Sequence, residues 1–96
     1  MTKKNEQTLK QVLDLFLGSQ KIKDKYLLVR IQEAWRQHLG PTINSYTSEV
    51  SFRKGILTVH ISSAPLRQEL LFGKDKLIAL INEALQDEVI KVIRIY

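Results

Sequence analysis

The sequence predicts a small α+β domain in which three helices pack on one face of a three-stranded sheet. Two segments before residue 40 repeat apolar residues at helical spacing. Between residues 46 and 62 the apolar residues alternate with polar ones, which indicates an antiparallel hairpin. A third helical segment and a β-branched segment follow, so the predicted element order is α-α-β-β-α-β.

Two helices are predicted before the hairpin, over residues 6–17 and 25–39. The apolar stripe of the first consists of Leu9, Val12, Leu13 and Phe16. The stripe of the second consists of Leu27, Leu28, Ile31, Ala34, Trp35, His38 and Leu39. We expect Asp24 to cap the second helix and Gly40-Pro41 to end it. Trp35 is expected to pack in the interior, and His38 is expected to be a buried or half-buried packing residue. Residues 1–8 are polar, and we expect them to be frayed.

The hairpin is predicted from strands over residues 46–53 and 56–62, joined by the turn Lys54-Gly55. A two-residue turn sets the register. It pairs Phe52 with Leu57 and Val50 with Val59, which together make one apolar face. On the opposite face the same register pairs Glu49 with His60.

The third helix is predicted over residues 64–85 and the last strand over residues 89–95. Ser63 is the expected N-cap, and Pro65 lies in the first turn, where its missing N–H costs little. The hairpin and the last strand together give the three-stranded sheet.

The third helix contains a conflict in its pattern. A straight helix would place Arg67 and Lys74 within the apolar arc and Phe72 on the polar side. We therefore expect a bend or a break at Gly73.

The composition predicts a single domain over residues 1–96. Hydrophobic residues make up 44% and charged residues 26%, as in ordinary globular domains. The chain has no cysteine, which excludes disulfides and cysteine nucleophiles. No apolar segment has the length of a membrane span, and the polar start lacks a secretory signal. We expect a cytoplasmic protein without a membrane partner.

The titratable residues do not assemble a catalytic or metal site. The two histidines fall on different elements, and a metal site needs three or four converging ligands. We expect Asp14, Asp24, Glu33 and Glu69 to form solvated charge pairs with neighbouring basic residues. The glycine-rich phosphate-binding motifs are absent. The sequence therefore predicts a non-enzymatic protein with no cofactor.

Basic and aromatic residues carry the functional hypothesis. The formal net charge is +5, with a pI of about 9.6. The candidate nucleic-acid-binding residues are Arg53, Lys54, Arg67, Lys74, Lys76 and Arg94. A solvated surface explains the same charges equally well. Tyr26, Phe72 and Tyr96 are least tied to an apolar face, so they are candidate stacking platforms. Phe72 and Tyr26 are also the candidate partner-binding residues.

An ordered series of short motifs resembles a known family. The series consists of Trp35, Leu39-Gly40, Gly55-x-Leu57-x-Val59-x-Ile61-Ser62-Ser63, Gln68-Glu69-Leu70, Leu77-x-x-Leu80-Ile81-Asn82 and Ile93-Arg94-Ile95. In these residues, and over the chain from Leu9 to the end, the sequence resembles the DciA-like proteins, which are bacterial replicative-helicase loaders. The resemblance implies a KH-like fold, a replicative DNA helicase as partner, and a role in DNA replication.

The leading hypothesis is a replication accessory protein that binds the replicative helicase and, weakly, single-stranded nucleic acid, either DNA or RNA. One departure bears on the alternatives. KH domains hold nucleic-acid backbone with a GxxG loop, whereas Gly73 has no partner glycine three residues on. An RNA-binding or ribosome-associated KH-like module is the first alternative. A pure protein-interaction adaptor is the second, and the missing loop favours it.

Overall fold

The computed structural model describes residue 11 and residues 20–96. Its elements are the helices α1 (Gln20–His38) and α2 (Gly40–Tyr46), the strands β1 (Thr47–Arg53) and β2 (Ile56–Ile61), the helices α3 (Ala64–Phe72) and α4 (Lys74–Leu85), and the strand β3 (Val92–Ile95). The predicted α+β class is confirmed. The helix predicted over residues 6–17 lies outside the described residues, apart from residue 11, which is helical. The fraying expected for residues 1–8 lies outside them as well.

The sheet is mixed, with β2 at its centre. β1 pairs with β2 antiparallel, and β3 pairs with β2 parallel. The predicted register is confirmed, because Phe52 lies opposite Leu57 and Val50 opposite Val59. Between Thr47 and Glu49 the register shifts by a bulge.

The hydrophobic core lies between the helices and one face of the sheet. From the sheet it contains alternate residues of β2 and β3, such as Leu57, Val59 and Ile93. Trp35 of α1 is only 2% exposed, and its Nε1–H donates to Thr47 Oγ1 at 3.1 Å. The expectation that Trp35 packs in the interior is confirmed.

The opposite, outer face of the sheet carries the intervening residues of each strand. The register arranges them in three rows across the strands: Arg53, Ile56 and Val92; Ser51, Thr58 and Arg94; Glu49, His60 and Tyr96. Every one of these side chains is exposed or half-buried. Among residues 20–96, no helix covers this face of the sheet.

One short helix was not predicted. Gly40 has a φ of +85°, which ends α1, and Pro41 lies in the first turn of α2. The strand therefore begins at Thr47. The prediction for His38 is wrong, because its side chain is exposed. It belongs to the apolar stripe predicted for this helix but lies in its last turn.

The break at Gly73 is confirmed. α3 ends at Phe72, α4 begins at Lys74, and the Gly73 N–H donates to the Leu70 carbonyl at 3.0 Å. The predicted N-cap is also confirmed, since Ser63 Oγ accepts the Leu66 N–H at 3.3 Å.

The last strand is shorter than predicted. β3 begins at Val92, and the preceding Val89 and Ile90 are buried in a loop. The side-chain amide of Asn82 binds both backbone groups of Ile90, at 2.8 and 3.0 Å. Because these groups are occupied by a side chain, they do not join the sheet.

Candidate nucleic-acid interface

The tip of the β1–β2 hairpin is a tight turn fixed on two sides. Lys54 and Gly55 have φ values of +47° and +83°. Positive φ at both central residues is what a two-residue type I′ hairpin turn requires. The Gly55 carbonyl accepts the Lys91 N–H at 2.8 Å. A Cβ on Gly55 would lie 3.1 Å from Cγ of Lys91. The tip is therefore held against the segment that leads into β3.

The second attachment of the tip comes from Asp24, and it overturns two expectations. Asp24 does not cap its helix but lies within α1, and it is only 7% exposed. One carboxylate oxygen accepts the Lys54 N–H at 3.2 Å, and the other accepts from Gln20 Nε2 at 2.9 Å. Asp24 is therefore not a solvated charge pair, because it connects α1 to the hairpin tip.

Basic side chains from three elements meet around this tip. Two adjacent depressions share Phe52, Arg53 and Lys54 in their walls; α1 completes the first and β3 the second. We call the cations lining them the hairpin-end basic surface, consisting of Lys21, Lys25, Arg53, Lys54 and Arg94. Grouped cations of this kind attract phosphates without reading sequence.

Three of the six predicted nucleic-acid-binding residues belong to this surface, and three do not. Arg67 is half-buried, and its Nη1 donates to the Ile61 carbonyl at 2.7 Å, so it stabilises the end of β2. Lys74 and Lys76 lie in the first turn of α4, and they are not among the residues that line either depression.

The predicted binding residues did not include Lys21 and Lys25. They are four residues apart and share one face of α1, because the helix begins at Gln20, five residues before its predicted start. What the sequence does not carry is the position of that face, which depends on the long-range contact between Asp24 and Lys54.

The aromatic candidates have different environments. Phe72 is 84% exposed where α3 ends, beside Leu71, which is 38% exposed. Tyr26 is half-buried on α1 and offers less surface. Tyr96 is 56% exposed and stacks on His60, with ring centroids 5.5 Å apart and an interplanar angle of 30°. On the other side of His60, Nε2 lies 3.7 Å from Glu49 Oε2, as the predicted pairing requires.

Acidic residues are grouped on a different part of the surface. Near α4 and the loop after it, one depression is lined by Asp75, Glu83, Asp87 and Glu88 among other residues. The charge is therefore unevenly distributed, with cations around the hairpin tip and carboxylates around the depression formed by α4 and the loop after it.

One of the surface ion pairs lies on α1. On α1, Glu33 contacts Arg36 at 2.5 Å, which confirms the expected pairing. The hydrogen bond from Arg36 lowers the pKa of Glu33.

Within the described part of the chain, no three His, Asp or Glu side chains are grouped so that they could hold a metal ion. No helix among those residues is long and apolar enough to cross a membrane.

Comparison with known proteins gives one finding. The model of the family described as Dna[CI] antecedent, DciA, matches residues 8–95. Comparison with curated proteins and with solved structures finds no match. The match includes the hairpin, the break at Gly73 and the last strand, and it spans nearly the whole sequence. The chain therefore belongs to the DciA family.

Proposed function

We propose that this chain is a DNA-replication accessory protein that binds the replicative helicase and, weakly and without sequence preference, single-stranded DNA. The observation that carries the proposal is family membership over residues 8–95. The DciA family is associated with helicase loading in DNA replication. Two surfaces of the structure support the two binding activities separately.

The exposed end of α3 supports helicase binding. A folded-back Phe72 would be buried at the break, but the structure leaves it 84% exposed. Large exposed aromatic side chains are frequent anchors of protein interfaces. Lys74 and Lys76 follow in the first turn of α4 and supply charge next to this anchor. We infer that Phe72 inserts into the helicase and that the two lysines meet acidic residues there.

Helicase binding is tested with Phe72→Ala in a purified mixture of the two proteins. Loss of an anchor costs about 2 kcal/mol or more of binding free energy. The melting temperature should hardly change, because Phe72 buries little surface. Val29→Ala is the matched control, since Val29 is another apolar residue that is 64% exposed. Wild-type protein that does not bind the replicative helicase contradicts the loader hypothesis.

The hairpin-end basic surface supports nucleic-acid binding. A KH domain holds backbone phosphates with its GxxG loop, but here Gly73 alone separates α3 from α4. Phosphate binding would then depend on another surface. The cations of Arg53, Lys54 and Arg94 offer a site that contacts phosphates and contains no element that reads bases.

Nucleic-acid binding is tested by anisotropy with labelled single-stranded oligonucleotides over a range of salt. We expect a Kd of roughly micromolar or weaker, and we expect the affinity to decrease as the salt concentration rises. Arg53→Glu with Lys54→Glu should weaken binding and flatten the salt dependence. Lys74→Glu with Lys76→Glu makes the same charge change on α4 and should have a smaller effect.

The two experiments together separate the alternatives. Helicase binding without nucleic-acid binding would identify a protein adaptor. Binding of RNA without any helicase interaction would identify an RNA-binding module.

A further inference from the structure

The outer face of the sheet continues the hairpin-end basic surface. Arg53 and Arg94 line one of its depressions and also lie on this face. Arg94 and Tyr96 are alternate residues at the end of the sheet, so they point to the same side about 7 Å apart. A line from the hairpin tip across this face therefore passes two guanidinium groups and then an aromatic ring.

The aromatic ring at the end of this line is held in position. The Tyr96 N–H donates to the Val59 carbonyl at 2.9 Å, and the Tyr96 carbonyl accepts the Ile61 N–H at 2.7 Å. The ring stacks on His60, which in turn lies beside Glu49. Tyr96 is nevertheless 56% exposed. A fixed, exposed ring loses little conformational freedom when another flat group stacks on it.

Charge identifies the class of occupant. Around this line the basic groups are Arg53, Lys54 and Arg94, and the carboxylate on the outer face is that of Glu49, which lies beside His60. Cations that follow a backbone, combined with an aromatic ring, are the arrangement used by proteins that bind single strands. In a duplex the bases are paired and stacked, so their flat faces are not accessible to the ring.

We propose that the outer face of the sheet is a single-strand-binding platform, on which Arg53 and Arg94 hold phosphates and Tyr96 stacks on a base. This inference rests on the proposed DNA binding, and it adds the strand path and a preference for single strands over duplexes.

The test compares Tyr96→Ala and Tyr96→Phe by anisotropy with three ligands: a thymine oligonucleotide, an abasic oligonucleotide of equal length, and a duplex. Stacking on one base corresponds to about a tenfold effect. Tyr96→Ala should weaken binding of the thymine strand by about this factor and leave the other two ligands unchanged. Tyr96→Phe keeps the ring and should bind like wild type. Arg94→Ala should weaken all three ligands and reduce the salt slope by roughly one unit or less.

The outcomes distinguish this inference from the proposed function. If wild-type protein binds none of the ligands, the proposed DNA binding is wrong and the platform is wrong with it. If wild type binds and Tyr96→Ala binds the thymine strand equally well, only the platform is wrong. An equal loss for the duplex and the thymine strand would also contradict base stacking. Loss of helicase binding in Tyr96→Ala, with unchanged DNA binding, would make this face a protein interface instead.

Discussion

Asp24 and Lys54 are thirty residues apart, and the carboxylate of the first accepts the backbone N–H of the second at 3.2 Å. This bond fixes the position of α1 relative to the hairpin tip. It also places one buried negative charge beneath a group of exposed positive ones. The same residue therefore stabilises the fold and reduces the positive potential of the hairpin-end basic surface.

Asp24→Ala should have opposite effects on stability and on nucleic-acid affinity. It removes the acceptor for a partly buried N–H, which costs about 1–2 kcal/mol of unfolding free energy. It also removes a negative charge near Lys21, Lys25 and Arg53, so single-stranded DNA should bind more tightly at low salt. Urea denaturation and anisotropy measure the two effects.

Asp24→Asn separates the effect of the hydrogen bond on stability from the effect of the charge on affinity. It removes the charge but retains one oxygen that can accept from Lys54, so its loss of stability should be smaller than that of Asp24→Ala. Its gain in affinity should be similar. Unchanged affinity in both variants would contradict an electrostatic role for Asp24.

Local patterns were sufficient to predict the hairpin. The alternation that places Phe52 and Leu57 on one face, together with a two-residue turn at Lys54-Gly55, leaves only one register. The break at Gly73 was predictable for a similar reason, since a straight helix would place Phe72 on its polar side. In both cases residues close in sequence determine the result.

Other features depend on signals with two meanings or on distant contacts. Gly40-Pro41 indicates the end of a helix, but proline also suits the first turn of a helix. Here the pair ends α1 and also begins α2. Arg67 looked like a free cation, yet it binds a carbonyl at the end of β2. The hairpin-end basic surface was predicted only in part, because Lys21 joins it through the tertiary position of α1.

Gly55→Ala should destabilise the hairpin. At a φ of +83° a residue with a Cβ is strained by about 1–2 kcal/mol. The added Cβ would also lie 3.1 Å from Cγ of Lys91. Gly40→Ala is the matched control, because Gly40 has a φ of +85° but no atom within 4 Å of the position that a Cβ would take. In chemical denaturation Gly55→Ala should therefore lose more stability than Gly40→Ala, and equal losses would show that Lys91 moves aside freely.

Trp35 should behave as a fully buried fluorophore. Iodide should not quench its emission in the native protein, because the side chain is 2% exposed. Trp35→Ala should cost about 3–5 kcal/mol, as a large core truncation does. Thr47→Val should cost about 1–2 kcal/mol, since it leaves the indole N–H without its acceptor, whereas Thr47→Ser keeps the hydroxyl. Native emission that iodide readily quenches would contradict this packing.

Gln86 ends α4 in a left-handed conformation, with a φ of +56°, where glycine is the preferred residue. Its N–H donates to the Glu83 carbonyl at 3.0 Å, a bond that glycine can also make. Gln86→Gly should therefore stabilise the protein by about 0.5–1 kcal/mol, because it relieves the backbone strain without removing this bond. Gln32→Gly is the matched control, since Gln32 is exposed within α1. There glycine should destabilise the protein by about 1 kcal/mol. Opposite shifts of the urea midpoint in the two variants would establish that backbone conformation decides whether glycine stabilises or destabilises the protein. A loss of stability in both variants would contradict this prediction.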